Sequence, residues 1–254
     1  MKHLTGSILL LAAALANSAV LAAEAGIDGP VGVDEPVPHA EALFGVDANS
    51  TGSFFGYTLF RLAPEKGGLD ESGLRFWLLG GAGFYHYPSD NGKIHATFWD
   101  TDALVGYSIE RDDLSASFYV GLNGQEHHLS ASDPENRVQG ASVGAMFRTD
   151  AWYNPTPKTL LFGEGEYSTA FGTYYTSAKY GYSFTSGRTL EDNQVYIGPH
   201  IMLLGNERYL EWRIGAHVTS FNLGKLDFEI GAGYQHNTDN GSGAYAIVEF
   251  NTKF

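Results

Sequence analysis

The chain has no cysteine, so no disulfide framework can hold it together. It has few cations, 15 lysines and arginines against 29 acids, for a net charge of -14. That balance disfavours nucleic acid and anionic membrane surfaces as partners. Beyond its first residues it has no apolar run near 18 residues, which excludes a transmembrane helix. It also lacks a Cys or HExxH metal motif, an Asp-rich calcium loop and a glycine loop built to cradle phosphate. No metal or other cofactor is therefore expected. His127-His128 is not a metal pair on a strand, because adjacent strand residues point to opposite faces.

Glycine and aromatic residues are abundant instead: Gly 32, Phe 16 and Tyr 15. Such a composition suits strands that face lipid and coil around one another. Lys2 and His3 precede an apolar stretch at residues 8 to 16, and small residues follow. This is the pattern of a secretory signal peptide, residues 1 to 23, with cleavage after a residue between 22 and 25. Residues 24 to 41 hold Pro30, Pro36 and Pro38 among the acids Asp28, Asp34, Glu35 and Glu41, and read as a flexible periplasmic segment. From residue 42 to 254 the chain reads as one domain.

Turn signals punctuate that domain at short intervals, among them Pro88-Ser89-Asp90-Asn91-Gly92, Asn154-Pro155-Thr156-Pro157 and Thr238-Asp239-Asn240-Gly241. Between them, apolar and polar residues alternate. Leu210, Trp212, Ile214, Ala216 and Val218 share one face, and Glu211, Arg213, Gly215, His217 and Thr219 the other. Residues 114 to 125 and 225 to 235 repeat the pattern. Alternation over eleven or more residues is a strand period, and the runs match the nine to eleven residues that cross a bilayer. Backbone groups in lipid must all be bonded, which forces closure. The expected fold is therefore all-β, a closed antiparallel transmembrane barrel of an outer membrane with a small polar lumen. Eleven strands follow residue 52, and residues 42 to 48 supply a twelfth; ten is the alternative, if two short turns are bulges. Pro199 falls inside a strand, where a bulge or an irregular hydrogen bond is expected.

Phe254 ends an alternating strand with Phe250 on the same face. A terminal aromatic of this kind resembles the signal that outer-membrane barrels present to their assembly machinery. Alternation turns Asp100, Asp102, Glu164, Glu166, Lys179, His200, Glu211, Arg213, His217, Asp227, Glu229 and Glu249 inward. In a narrow barrel these charges either fill the lumen as salt bridges or line a polar path for a hydrophilic ligand; filling is the commoner arrangement in small barrels. Lys179 and Arg213 are the cations expected beside Glu164 and Glu166. Trp212 is expected against lipid near mid-membrane, with Phe228 on the same outer side.

Tyr57, Phe84, Tyr85, Tyr87, Trp99, Trp152, Tyr153, Tyr174 and Tyr175 cluster near strand ends and read as interfacial girdles, with sugar stacking as the sharper alternative. His236-Asn237-Thr238 invites comparison with lipid A deacylases, outer-membrane barrels that carry a His-x-Ser pair on a lipid-facing strand end. Here Thr238 holds the nucleophile position and the nearest downstream acid, Glu249, faces inward, so no catalytic triad can assemble and no catalytic residue is assigned. A lipid-modifying enzyme and a small porin-like channel remain the alternative functions.

Several glycine-aromatic strand patterns occur in order: Leu43-Phe44-Gly45-Val46-Asp47, Glu71-Ser72-Gly73-Leu74-Arg75, and Gly83-Phe84-Tyr85-His86-Tyr87. They continue with Gly163-Glu164-Gly165-Glu166-Tyr167-Ser168, Leu204-Gly205-Asn206-Glu207, Tyr209-Leu210-Glu211-Trp212-Arg213-Ile214-Gly215 and Ile230-Gly231-Ala232-Gly233-Tyr234. In this series the chain resembles the cellulose-biosynthesis protein BcsS family over residues 42 to 254. The resemblance implies a non-enzymatic barrel accessory to making or exporting cellulose. It implies partners among outer-membrane lipid, the barrel-assembly machinery, cellulose synthase components or the glucan chain, and it supplies no catalytic residues.

Overall fold

A computed structural model describes residues 37–90, 92–184 and 194–254. The expected signal peptide and most of the 24 to 41 segment lie outside these residues, as does the turn expected near 186 to 193. Twelve strands follow in order: β1 (Ala40–Asn49), β2 (Phe54–Leu62), β3 (Gly73–Ser89), β4 (Gly92–Arg111), β5 (Leu114–Leu129) and β6 (Gly140–Thr156). After them come β7 (Thr159–Ser168), β8 (Tyr174–Ser183), β9 (Tyr196–Gly205), β10 (Leu210–Leu223), β11 (Leu226–Asn237) and β12 (Gly241–Lys253). Each pairs antiparallel with its neighbours, and β1 closes on β12 from Glu41↔Lys253 to Asn49↔Tyr245. Closure leaves no open edge, which is what a bilayer core demands of a sheet.

β1 begins at Ala40, two residues before the expected start of the barrel. The chain just before it is tied down rather than loose. His39 and Ala40 both donate backbone N–H bonds to the carbonyl of Phe254, at 3.0 and 2.8 Å, and Leu69 N–H donates to the carbonyl of Pro38 at 2.8 Å. The backbone of Phe254 thus helps to seal the β1–β12 seam.

Two-residue turns at 112–113, 157–158 and 224–225 lie on the same rim as both ends of the barrel chain, so we take that rim as periplasmic. A 3-10 turn, Gly68–Asp70, folds into it with Leu69 buried. The outer faces are apolar and open: Phe118 is 62% exposed and Leu122 60%. A water-soluble chain rarely carries such a continuous band, whereas lipid requires one.

Three prolines lie inside strands: Pro88 is one residue from the end of β3, and Pro155 and Pro199 are accommodated by different means. Pro155 sits in a bulge where Asn154 and Pro155 oppose a single residue of β7. At Pro199 there is no register shift. The β8–β9 pairing lapses between Lys179↔His200 and Tyr182↔Ile197, and the Tyr180 carbonyl accepts instead from His217 Nε2 at 3.0 Å. The irregular hydrogen bond expected at Pro199 is thus supplied to the Tyr180 carbonyl of β8 by a side chain of β10, across β9. A further bulge places Thr219 and Ser220 opposite Glu229, with Ser220 at φ 62.

Candidate functional site: the barrel lumen

The lumen is not uniformly polar. On its β2 to β6 side, Leu59, Trp77, Leu104, Tyr119 and Met146 form a buried apolar cluster. Met202, Tyr245 and Ile247 form a second one, with Tyr175 and Leu204 packed on it. The small polar lumen expected from alternation is corrected to this extent. Charged groups are arranged around these clusters, and one cavity of about 1480 Å³ passes between them, touching residues at both rims. Salt bridges therefore brace the interior without filling it.

Arg61–Glu41 at 3.4 Å and Arg75–Glu110 at 4.0 Å lie toward the periplasmic rim, and the remaining ion pairs of the lumen fall into three groups. In the first, Arg148 of β6 donates to Glu164 Oε2 at 2.6 Å and to Glu166 Oε2 at 2.5 Å, while its guanidinium lies 4.2 Å from the centre of the Trp77 ring. Arg148, and not Lys179 or Arg213, is the partner of the two glutamates. Residues 140 to 148 alternate weakly, so the facing of Arg148 is hard to read from sequence; exposed Phe147 settles it, since its neighbours must turn inward.

In the second group, Lys179 pairs with Glu229 of β11 and lies 4.7 Å over the Phe162 ring. Glu229 also accepts from Thr219 Oγ1 at 3.1 Å. Glu249 accepts from the Tyr57 hydroxyl, and Tyr175 donates to Glu164 Oε1 at 3.2 Å. The third group centres on Arg213, which donates to Glu211 at 2.5 Å and to Asp47 at 2.7 Å. Tyr209 donates to the other oxygen of Glu211. Tyr209 lies beyond the strands, and burial together with the adjacent Glu211 carboxylate pushes its hydroxyl pKa well up.

Among the described residues Asp100 and Asp102 have no cation as hydrogen-bond partner; both accept from the amide of Asn123, at 2.5 and 2.7 Å. Asn123 in turn accepts from Ser168 and Gln125, so the amide is saturated. His200 is 2% exposed and meets Ser177 Oγ at 2.9 Å. His217 bridges Thr219 and the Tyr180 carbonyl. Asp227 lines the cavity near the periplasmic rim, level with Asn251. Phe250 points outward and stacks between Phe44 at 5.2 Å and Phe228 at 5.9 Å, on the face shared with Val248 and Ile230.

Several aromatics assigned to girdles by position are in the lumen. Tyr57, Tyr85, Tyr87, Trp152 and Tyr175 line the cavity, while exposed Phe84 and Tyr153 face outward. Strand-end position cannot separate rim from lumen; only register can. Trp212 faces outward but is the third residue of β10, packed on Tyr234 and His236, so it lies near the rim rather than at mid-membrane.

On that same outer rim, His236 Nδ1 is 3.0 Å from Ser242 Oγ, and the Tyr234 hydroxyl is 2.5 Å from it. Sequence order pointed to Thr238, whose hydroxyl instead accepts from the Leu210 N–H at 3.3 Å. No carboxylate is among the hydrogen-bond partners of His236 in the described residues, and Glu249 is held inside by Tyr57. Nothing therefore orients the imidazole as a general base. Among the described residues no group of three His, Cys, Asp or Glu side chains is placed to hold a metal.

Residues 42–254 match the profile of the family described as Cellulose biosynthesis protein BcsS. The chain belongs to the BcsS family. No curated protein matches it. Among solved structures, LpxR from Salmonella typhimurium is similar at 9% identity and TM-score 0.48, covering 84% of this chain and 100% of that one. KdgM porin is similar at 8% identity and TM-score 0.44, covering 84% of this chain and 99% of that one. The translocator domain of autotransporter NalP from Neisseria meningitidis is similar at 13% identity and TM-score 0.43, covering 98% of each chain. This BcsS-family chain is a twelve-strand barrel of the outer-membrane type.

Proposed function

We infer that this BcsS-family barrel is delivered to the outer membrane by a cleaved signal peptide and is a non-enzymatic accessory to cellulose biosynthesis or export. The family match over residues 42–254 carries this reading. The lumen supports it, because the cavity reaches both rims and its charges are arranged in braced pairs around an open core. Cellulose synthase components or the glucan chain itself are the partners this reading implies. Among the described residues the outer-rim His236–Ser242 pair has no bonded acid of the kind a hydrolase of lipid would need.

Deleting the gene in cells that make cellulose tests the reading. Cellulose output, or its assembly into matrix, should fall and return on complementation. Unchanged cellulose in the deletion strain would refute the functional assignment and leave the barrel fold intact.

A further inference from the structure

Five aromatic rings run from the extracellular mouth to the middle of the lumen in an unbroken series. Tyr87 to Tyr85 is 6.3 Å between ring centres, Tyr85 to Phe98 5.9 Å, Phe98 to Phe55 5.4 Å and Phe55 to Tyr57 5.3 Å. All five line the cavity. They belong to β2, β3 and β4, so they occupy one wall and do not surround a point.

Glycines explain why these rings lie along the wall and leave the lumen open. A Cβ at Gly81 would overlap the Phe55 ring, one at Gly83 the Phe98 ring, and one at Gly45 the Tyr57 ring. The Phe55, Phe98 and Tyr57 rings thus rest on bare backbone of a neighbouring strand. Tyr85, Phe55 and Tyr57 line the cavity half-buried, while the Phe98 ring is also stacked on His127 at 5.3 Å and Tyr87 is buried at the mouth with its hydroxyl held by Asp133 and Asn136. Apolar packing alone would not call for this arrangement, since larger neighbours would bury the rings more completely.

Polar groups flank the series. Asp47 is level with Phe55 on β1, Asp100 is level with Gly81 on β4, and Gln125 is level with Asp100 on β5. A flat apolar surface with hydrogen-bonding groups at its edge matches a sugar ring, which has an apolar C–H face and a rim of hydroxyls. Seventeen carboxylate side chains line the cavity against eight lysines and arginines. That excess repels polyanions, so an acidic polysaccharide is the wrong ligand. A quaternary ammonium ion would want rings enclosing it. Rings in a row along one wall suit a chain of repeating rings.

We propose that Tyr87, Tyr85, Phe98, Phe55 and Tyr57 form a binding track for an uncharged glucan chain in the extracellular half of the lumen. The proposal rests on the reading of the barrel as a cellulose accessory and names the ligand of that lumen. The full-length barrel, refolded in detergent and checked by heat-modifiable migration, is titrated with cellohexaose by calorimetry. Hexagalacturonate serves as the anionic control. Cellohexaose should bind and hexagalacturonate should not. The double variant Phe55→Ala/Phe98→Ala should weaken cellohexaose by about tenfold or more, ~1.4 kcal/mol. The variant Phe55→Tyr/Phe98→Tyr, which keeps both rings, should retain binding. Absence of cellohexaose binding by the folded barrel, equal binding by the double alanine variant, or equal binding of hexagalacturonate would overturn the track. If cellulose falls on gene deletion and cellohexaose still fails to bind, only the track is lost; if cellohexaose binds but deletion leaves cellulose unchanged, only the pathway assignment is lost.

Discussion

Arg213 of β10 reaches past two intervening strands, β11 and β12, to bond Asp47 of β1 at 2.7 Å, while its Nε holds Glu211 of its own strand at 2.5 Å. One guanidinium therefore ties together opposite parts of the seam-bearing wall. Glu211 is 1% exposed, so removing Arg213 strands a buried carboxylate. Arg213→Met should destabilise the barrel by about 3–5 kcal/mol, as loss of one member of a buried pair does. Asp47 is more open, with a side chain 24% exposed, and Arg213 keeps Glu211 without it. Asp47→Asn should therefore cost much less. Urea titration of the folded, fast-migrating band orders the two variants, and equal losses would contradict this division of roles.

The outer face gives a second test, graded by depth. Ile214 lies deeper in β10 than Trp212, and both face outward. Ile214→Arg should cost about 2–4 kcal/mol near mid-membrane, and Trp212→Arg only about 0–1 kcal/mol at the interface. Cysteines at 211 and 213 should label from the aqueous lumen, and one at 214 from lipid. The reverse labelling would mean a register displaced by one residue.

Strand number, closure and the facing of β10 were legible in the sequence because strict alternation there leaves a single register. Contacts between distant strands were not. Nothing local to Glu164 or Glu166 distinguishes Arg148 as their partner from Lys179, and the pairing appears only once β6 lies beside β7. The lumenal tyrosines were hidden for a related reason. Tyr85 and Phe84 are adjacent near the same strand end, yet one lines the cavity and the other is 51% exposed. The apolar cluster around Trp77 was illegible because alternation identifies two faces but does not say which is wet when both carry aromatics. Leu59 and Trp77 are inward, and Phe60 and Phe76 lie on the opposite face.

At the outer rim, His236→Ala is expected to leave the acylation of lipid A unchanged. The imidazole meets Ser242 at 3.0 Å, but with no carboxylate behind it the pair resembles the polar end of an aromatic girdle beside Trp212 and Tyr234. Mass spectrometry of lipid A from cells carrying wild type, His236→Ala and Ser242→Ala provides the measurement. A mass change that depends on either residue would establish an enzyme and refute the non-enzymatic reading.

The Arg148 centre separates bracing from transport. Glu164 and Glu166 project inward two residues apart on β7, about 7 Å along the strand, and both bond one guanidinium stacked on Trp77. Glu164→Gln/Glu166→Gln removes both carboxylates bonded to buried Arg148 and leaves it only the unbonded Asp150 and Asp102 nearby, so the barrel should lose stability. Adding Arg148→Met should recover much of that stability, because a neutral, similarly long side chain can still pack on the Trp77 ring. If the centre serves only to hold the wall, cellulose output will follow barrel abundance through all three variants and recover in the triple one. If it also contacts passing glucan, the triple variant will restore the folded barrel while cellulose output stays low. A triple variant no more stable than the double would show that the cost lies in packing around β7 rather than in the unpaired charge.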